Sequence, residues 1–488
     1  MSEAVRQLEP RALWNYFSDL NAVPRASKKE EEVIQFMMDF GNGLGLDTIK
    51  DHIGNVIIKK PATAGLEHKQ IIVLQSHLDM VHQKNEDTVF DFATEGIKMI
   101  VDGDWVKADG TTLGADNGIG VATIMALLAS TDVAHPPLEA LFTIDEETGM
   151  TGAMELKGGM LDASIMLNLD TEDDDELTIG CAGGIDITAK GSYDAVDPAE
   201  GTTAFKLSVR GLSGGHSGMD IHKGLGNANK IINRLLYALH HELNIEIGSI
   251  DGGSLRNAIP RESKAILYLP PADQSKAEEI ISRVGDSIIN EHVTTDPDLE
   301  LIFETTDQQT KVLPTDLQDK MIKSIYACPN GIYRMSPEIS TLVQTSNNLA
   351  RVSVGGGKYE ILCLTRSSVN TEKHDLAQAV KSTFELMGAE LVMDGSYPGW
   401  EPKPGVAIVK LMTDLYREKF SEEPNVNACH AGLECGILGQ NYPDMDMISF
   451  GPNIRGAHSP DEKVQISSVQ KFWGFLLDTL EQTPAKDN

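Results

Sequence analysis

Residues 70–84 read QIIVLQSHLDMVHQK, an apolar run from Gln70 to Gln75 that leads into His77, Asp79 and His82. A short apolar run of this kind predicts a strand buried on both faces. Three other runs have the same character: Leu138 to Ile144 (LEALFTI), Ser164 to Leu169 (SIMLNL) and Met445 to Phe450 (MDMISF). Between the first two lies NGIGVATIMALLAS, Asn117 to Ser130, which predicts a helix, and Val406 to Phe420 has helical periodicity as well. Strands alternating with helices predict an α/β fold with a mostly parallel sheet flanked by helices.

The middle of the chain reads differently. Alternating stretches such as FKLSVRGL (Phe205 to Leu212) and AILYLP (Ala265 to Pro270) predict half-exposed antiparallel strands with helices beside them, an α+β domain. Its far boundary is expected within DGSYPGWEPKPG, Asp394 to Gly405, a Gly/Pro-rich stretch that neither helix nor sheet carries internally. The strand at Met445 to Phe450 follows that boundary and resembles those of the first domain, so the second domain reads as an insertion. The expected division is 1–185 and 399–488 for the first domain and 186–398 for the inserted one.

Composition narrows the function classes. A chain of 488 residues, 41% of them apolar, is long enough for two cores. Seventy-three acidic residues against 41 Lys plus Arg give a net charge of -32. That charge repels nucleic acid and anionic membranes, so neither is an expected partner. The N-terminus lacks the basic and apolar regions of an export signal, and five scattered cysteines suggest no disulfide framework. A soluble cytoplasmic protein is expected. Cys429, His430 and Cys435 lack the second ligand pair of a structural zinc site and read as ordinary buried groups. TEDDDEL, Thr171 to Leu177, lacks the pattern of a calcium loop, and its later carboxylates read as a solvated turn. GGGK at Gly355 to Lys358 lacks P-loop spacing and reads as a turn.

In open α/β sheets, functional groups gather at the carboxyl ends of strands. Here every predicted strand ends in potential metal ligands: His77 and Asp79, then Asp145-Glu146-Glu147, then Asp170, then His458 after GPNIRGA. Asp116, in GTTLGADNGIG, lies where a Gly-flanked turn opens a helix, which it could cap. Each residue alone has an ordinary explanation, but two histidines with three or four carboxylates form a mixed N/O set suited to two divalent ions. Asp79, two residues beyond His77 in an extended chain, is on the same side and can orient the imidazole. His82 lies too far along to share that geometry. Glu146 and Glu147 point apart, so one carboxylate can bind metal while the other serves as general base.

QSHLDMV, GTTLGADNGIG, DEETG, NLDTE, SGGHSGMD and GAHSPDE together resemble the co-catalytic zinc aminopeptidase and dipeptidase family that includes aminoacylases and glutamate-releasing carboxypeptidases. The motifs extend from Ser76 to Glu462. The resemblance implies a role at each matching position. His77 and Asp170 would hold one zinc, Glu147 and His458 the other, and Asp116 would bridge them, followed by a cis peptide to Asn117. Cobalt or manganese could replace zinc. Glu146 would be the general base and Asp79 the orienting carboxylate. In the inserted domain, used by the family as a lid and in dimerisation, His216 would stabilise the oxyanion. Asn257 and Arg366 would receive the substrate's terminal carboxylate.

The implied activity is hydrolysis of unblocked dipeptides, Xaa-His and β-alanyl-histidine among them, by a homodimer. Two alternatives stand beside it: an N-acyl amino acid amidohydrolase with the same metals, and a non-catalytic metal-binding protein, for which the extra carboxylate of Glu146 has no use.

Overall fold

All four apolar runs become strands in the computed structural model, which describes residues 3–308 and 310–486. They are Ile72–His77, Leu138–Thr143, Ile165–Asn168 and Asp446–Ser449, buried along nearly their whole length. The four lie side by side, in the order Leu138, Ile72, Ile165, Asp446, and pair in parallel. On either side of these four, the next pairing is antiparallel. Val56–Lys60 and Asp47–Lys50 extend one side antiparallel, Glu176–Cys181 pairs antiparallel on the other, and Asn425–Cys429 closes that edge of the eight-stranded sheet. Asp47–Lys50 and Val56–Lys60 are joined by a connection too short for a crossover, which dictates their antiparallel pairing.

Helix Ala115–Ala129 is kinked at its start, where Asp116 and Asn117 are not helical, and is buried on nearly all sides. Its apolar surface packs with Leu13, Trp14 and Phe17 of helix Arg11–Leu20. Another cluster joins Val73, Leu141, Met166 and Met447 of the sheet to Ala153, Cys435 and Leu438 of two short helices. Gly120 permits close packing of the Ala115 helix: a Cβ there would lie 2.4 Å from Ser76 Oγ and 2.8 Å from the Leu169 carbonyl.

Register places polar side chains just below the strand ends. Gln75 lies opposite Asn168, and Asn168 opposite Ser449. Ser449 donates to Asn168, Asn168 to Gln75, and Gln75 to Thr143 at 3.1 Å and to Glu434 at 2.6 Å. This buried row links the central strands just below their carboxyl ends, and one of its oxygens, Glu434 Oε1, is left without a hydrogen-bond partner.

The second unit is built on a nine-stranded antiparallel sheet. Strand Thr203–Arg210 shows the alternation that predicted it, with Phe205, Leu207 and Val209 buried. These residues join one core with Leu235, Ile280, Ile322 and Val380, one from each of helices Ala228–Leu243, Gln274–His292, Thr315–Ala327 and Asn370–Glu385.

By compactness the first unit comprises the chain up to Gly180, Trp400–Ala428 and everything from Leu433 onward; the second comprises Cys181–Gly399 with Cys429–Gly432. Two expectations need correction. Asp394 to Tyr397 is not loop but the end of strand Glu390–Tyr397, so the irregular stretch begins only at Pro398. In Thr171–Leu177 only Asp175 is exposed: Asp174 pairs with Lys471 at 2.8 Å, and burial, with Asp116 and Asp170 nearby, raises the Glu172 pKa to about 8.

Candidate metal centre

His77 ends its strand with the side chain 1% exposed and Nε2 directed at two carboxylates, Asp116 Oδ1 at 3.2 Å and Asp170 Oδ1 at 3.5 Å. Asp116 turns its other oxygen away: Oδ2 is 3.2 Å from His458 Nε2, and His458 Nε2 is 2.9 Å from Glu147 Oε2. Two donor groups result, His77-Asp116-Asp170 and Asp116-Glu147-His458, with Asp116 common to both. One oxygen of Glu147, Oε1, is buried without a hydrogen-bond partner.

Asp116 occupies this position because the chain is not yet helical there. Its φ and ψ are -81° and 111°, the Asp116–Asn117 peptide is cis, and the N-cap is Gly114 in the left-handed region. Asp116 therefore does not cap the helix, and its carboxylate is left for the cluster. Asn117 donates to the Leu169 carbonyl at 2.6 Å and to Asp170, tying the helix start to the neighbouring strand end.

Asp79 lies beside His77, but the closer partner of His77 Nδ1 is the Asp79 backbone carbonyl at 3.1 Å; the carboxylate is 3.5 Å away. That carboxylate instead receives the backbone N–H of Glu146 at 3.0 Å and of Glu147 at 3.3 Å, with Ser27 Oγ at 2.7 Å. Asp79 thus orients the Glu146–Glu147 turn as well as the imidazole. His82 stacks on Phe92 at 4.1 Å and belongs to neither donor group.

The electrostatics call for positive charge at two points. Burial alone would lower the His77 pKa, but Asp170 and Asp116 drive it well above its ordinary value. Hydrogen bonds to Asp116 and Glu147 push His458 up to about 11. Burial raises Asp170 to about 6 and Glu146 well above the usual carboxylate range, with Asp170, Glu434 and Glu147 adding to the latter. Asp79 is held down at about 2 by His77 and its N–H donors, against the burial that would raise it.

In the second unit, His216 lies in the short strand Gly215–His216, paired with Ala258–Ile259. Its Nδ1 accepts the N–H of Gly218 at 3.2 Å and of Met219 at 3.0 Å, which leaves the proton on Nε2. Burial and the charge of Arg366 lower its pKa, so the ring is a neutral donor. Arg366 is no surface ion pair: it is 5% exposed, donates to Tyr397 Oη at 2.8 Å, and leaves Nε buried without a partner. Asn257 is exposed. His430 is buried, with Nε2 2.7 Å from Ser346 Oγ.

Reading by motif gave Glu462 and Glu434 no role. Both are buried carboxylates near the donor groups, and Glu462 closes the GAHSPDE motif four residues after His458, which was the available signal. Arg25, fully buried and bonded to the Gly114 carbonyl at 2.6 Å, carried no comparable signal.

Residues 73–482 match the model of Peptidase family M20/M25/M40. The chain is 41% identical over 486 residues to the cytosol non-specific dipeptidase of Escherichia coli (strain K12), covering 100% of each. Its structure matches the crystal structure of aminoacylhistidine dipeptidase from Vibrio alginolyticus with a TM-score of 0.95 and 43% identity, over 100% of this chain and 99% of that one. Aminopeptidase PepT from Bacillus cereus shares the fold, with a TM-score of 0.57 and 16% identity over 98% of this chain and 99% of that one.

Proposed function

The chain belongs to peptidase family M20/M25/M40, and we propose that within it the chain hydrolyses unblocked dipeptides, preferring histidine at the second position and accepting β-alanyl-histidine. Full-length similarity to two dipeptidases supports the substrate class. The observation that carries the chemistry is the division of Asp116, one oxygen toward His77 and the other toward His458.

Three carboxylates and two imidazoles in overlapping donor groups fit two divalent ions, and the unpartnered Glu147 Oε1 is a donor without another use. We assign His77 and Asp170 to one ion, Glu147 and His458 to the other, and Asp116 to both. Zinc is the proposed metal, with cobalt or manganese able to replace it. Such a pair, when bound, polarises a peptide carbonyl and lowers the pKa of water.

Glu146 is the proposed general base. The Asp79 carboxylate fixes the backbone of Glu146, and burial leaves its carboxyl with a raised proton affinity. It takes one proton from the attacking water as the water oxygen bonds the carbonyl carbon, and delivers that proton to the amine nitrogen as the C–N bond breaks. In the second unit, the Nε2–H of His216 is the proposed donor to the oxyanion, and Arg366 with Asn257 the proposed receptor for the terminal carboxylate. Assembly as a homodimer is part of the proposal, and sedimentation checks it.

The test is release of free histidine from β-alanyl-histidine and, in parallel, from its N-acetylated form. Release from the unblocked peptide alone is expected. Release from the blocked form alone would assign the chain to amidohydrolysis of N-acyl amino acids instead.

A further inference from the structure

Four successive backbone N–H groups converge on one side chain in the first unit. Leu113 and Gly114 donate to Glu462 Oε2 at 2.7 and 2.9 Å, and Ala115 and Asp116 donate to Oε1 at 2.7 and 3.2 Å. Glu462 is 2% exposed, and both of its oxygens are fully used. We infer that Glu462 is a positioning residue for Asp116: its carboxylate fills the anion-binding nest of residues 113–116 and so sets where the Asp116 side chain points. The inference rests on the reading of Asp116 as the ligand common to both metal positions.

Three features support it. Gly114 takes φ 68°, the left-handed conformation that turns consecutive N–H groups toward one point. Arg25 grips the opposite side of the same turn, donating to the Gly114 carbonyl at 2.6 Å and to the Leu78 and Asp79 carbonyls at 3.0 and 3.3 Å. The turn is thereby fastened to the strand end that carries His77. Finally, Glu462 and His458 share one tight segment, in which Ser459 N–H donates to the Gly456 carbonyl at 3.2 Å and Glu462 N–H to the Ser459 carbonyl at 3.0 Å. A single loop therefore supplies both a ligand and the anchor that aims the ligand opposite it.

Chemistry explains why the residue is glutamate. Glutamine would set an amide N–H₂ against two of the N–H donors, and aspartate is one methylene too short to reach all four. A built-in comparison exists at Glu139, also 2% exposed, which accepts the N–H of Asp162 at 2.9 Å and of Ala163 at 3.1 Å and has no place in either donor group. Glu139 makes the same kind of bond without the metal site.

The test uses the metal-free full-length protein and its Glu462→Asp, Glu462→Gln and Glu139→Gln variants, titrated with cobalt(II). Calorimetry and the visible absorption of the bound ion are read, then kcat and KM on β-alanyl-histidine at saturating cobalt. Both Glu462 variants are expected to bind cobalt about 10- to 100-fold more weakly, as when a partner that orients a ligand is lost. Their cobalt spectrum should shift, and kcat should fall with KM little changed. Glu139→Gln should keep the wild-type affinity and spectrum even if it melts earlier. Should Glu462→Gln fail to fold, Glu462→Asp decides the matter. Wild-type affinity and spectrum in the Glu462 variants, or equal losses in Glu139→Gln, would overturn the proposal alone. Wild-type protein that takes up no cobalt would overturn the metal reading, and the proposal with it.

Discussion

Asp116 and His458 lie 342 positions apart in the chain and 3.2 Å apart in the fold, Oδ2 to Nε2. His77 is at the same distance from the other oxygen, so one carboxylate joins two groups delivered by distant segments. Replacing Asp116 by Asn keeps the shape but removes the charge and one acceptor oxygen. Asp116→Asn is expected to lower bound metal below two ions per chain and kcat/KM by at least about 100-fold, the upper end of losses seen for indirect ligand partners. Metal analysis after dialysis, paired with initial rates, checks this.

Glu146 is in neither donor group, and the raised proton affinity from its burial suits proton transfer. Glu146→Gln should therefore retain its metal while kcat falls about 10²- to 10⁴-fold, the scale of a lost general base. Metal content equal to wild type together with wild-type turnover would remove Glu146 from the mechanism.

Arg366, buried with Nε unpartnered, has the geometry to take a carboxylate in a two-point grip that lysine cannot reproduce. Arg366→Lys should raise KM for a free dipeptide about 10- to 100-fold, corresponding to one charge-assisted hydrogen bond. A dipeptide amide, lacking the terminal carboxylate, should lose far less. Equal losses on the two substrates would contradict the assignment.

Gly120 tests the packing that holds the proposed ligands. An added methyl group meets Ser76 Oγ and Asn117 Oδ1, each 2.4 Å from the new carbon, and the Leu169 carbonyl. Gly120→Ala is expected to cost about 1–3 kcal/mol of stability through overpacking and to weaken metal binding, since the helix carrying Asp116 must shift. Denaturant melts with and without metal measure both effects.

His430 sets a pH dependence in the second unit. Burial, reinforced by the charge of Arg366, lowers its pKa to about 3. A base with a depressed folded pKa is protonated first in the unfolded chain. Its contribution is complete above the unfolded value of about 6.5 and is lost as the pH falls toward about 3. Urea melts of metal-free protein between pH 4 and 7 should show a shallower acid loss in His430→Gln than in wild type; parallel curves would refute this.

Much of the candidate site was legible in the sequence because the proposed ligands follow a buried strand or a glycine turn: His77 after IIVLQ, Asp170 after SIMLNL, Asp116 within GTTLGAD. Local pattern announces such groups. It does not announce who holds them. Glu462 reaches residues 113–116 across about 350 positions, and Arg25 grips that turn from near the chain start. Both contacts arise only from tertiary closure. The acidic run at Thr171–Leu177 misled for a related reason, since a half-buried Glu172 and a Lys471-paired Asp174 look in sequence like any solvated turn. At Asp394–Tyr397, turn-forming composition yielded to pairing with Gly183–Ser192 in the large antiparallel sheet.

The central claim is that two metal ions held through Asp116 carry out dipeptide hydrolysis. Stepwise zinc titration of metal-free protein, with histidine release from β-alanyl-histidine measured at each step, tests it most directly. The account predicts that zinc uptake saturates at two ions per chain, that full activity is reached only there, and that Asp116→Asn saturates lower and stays inactive. Full activity in metal-free protein, or in Asp116→Asn, would contradict it.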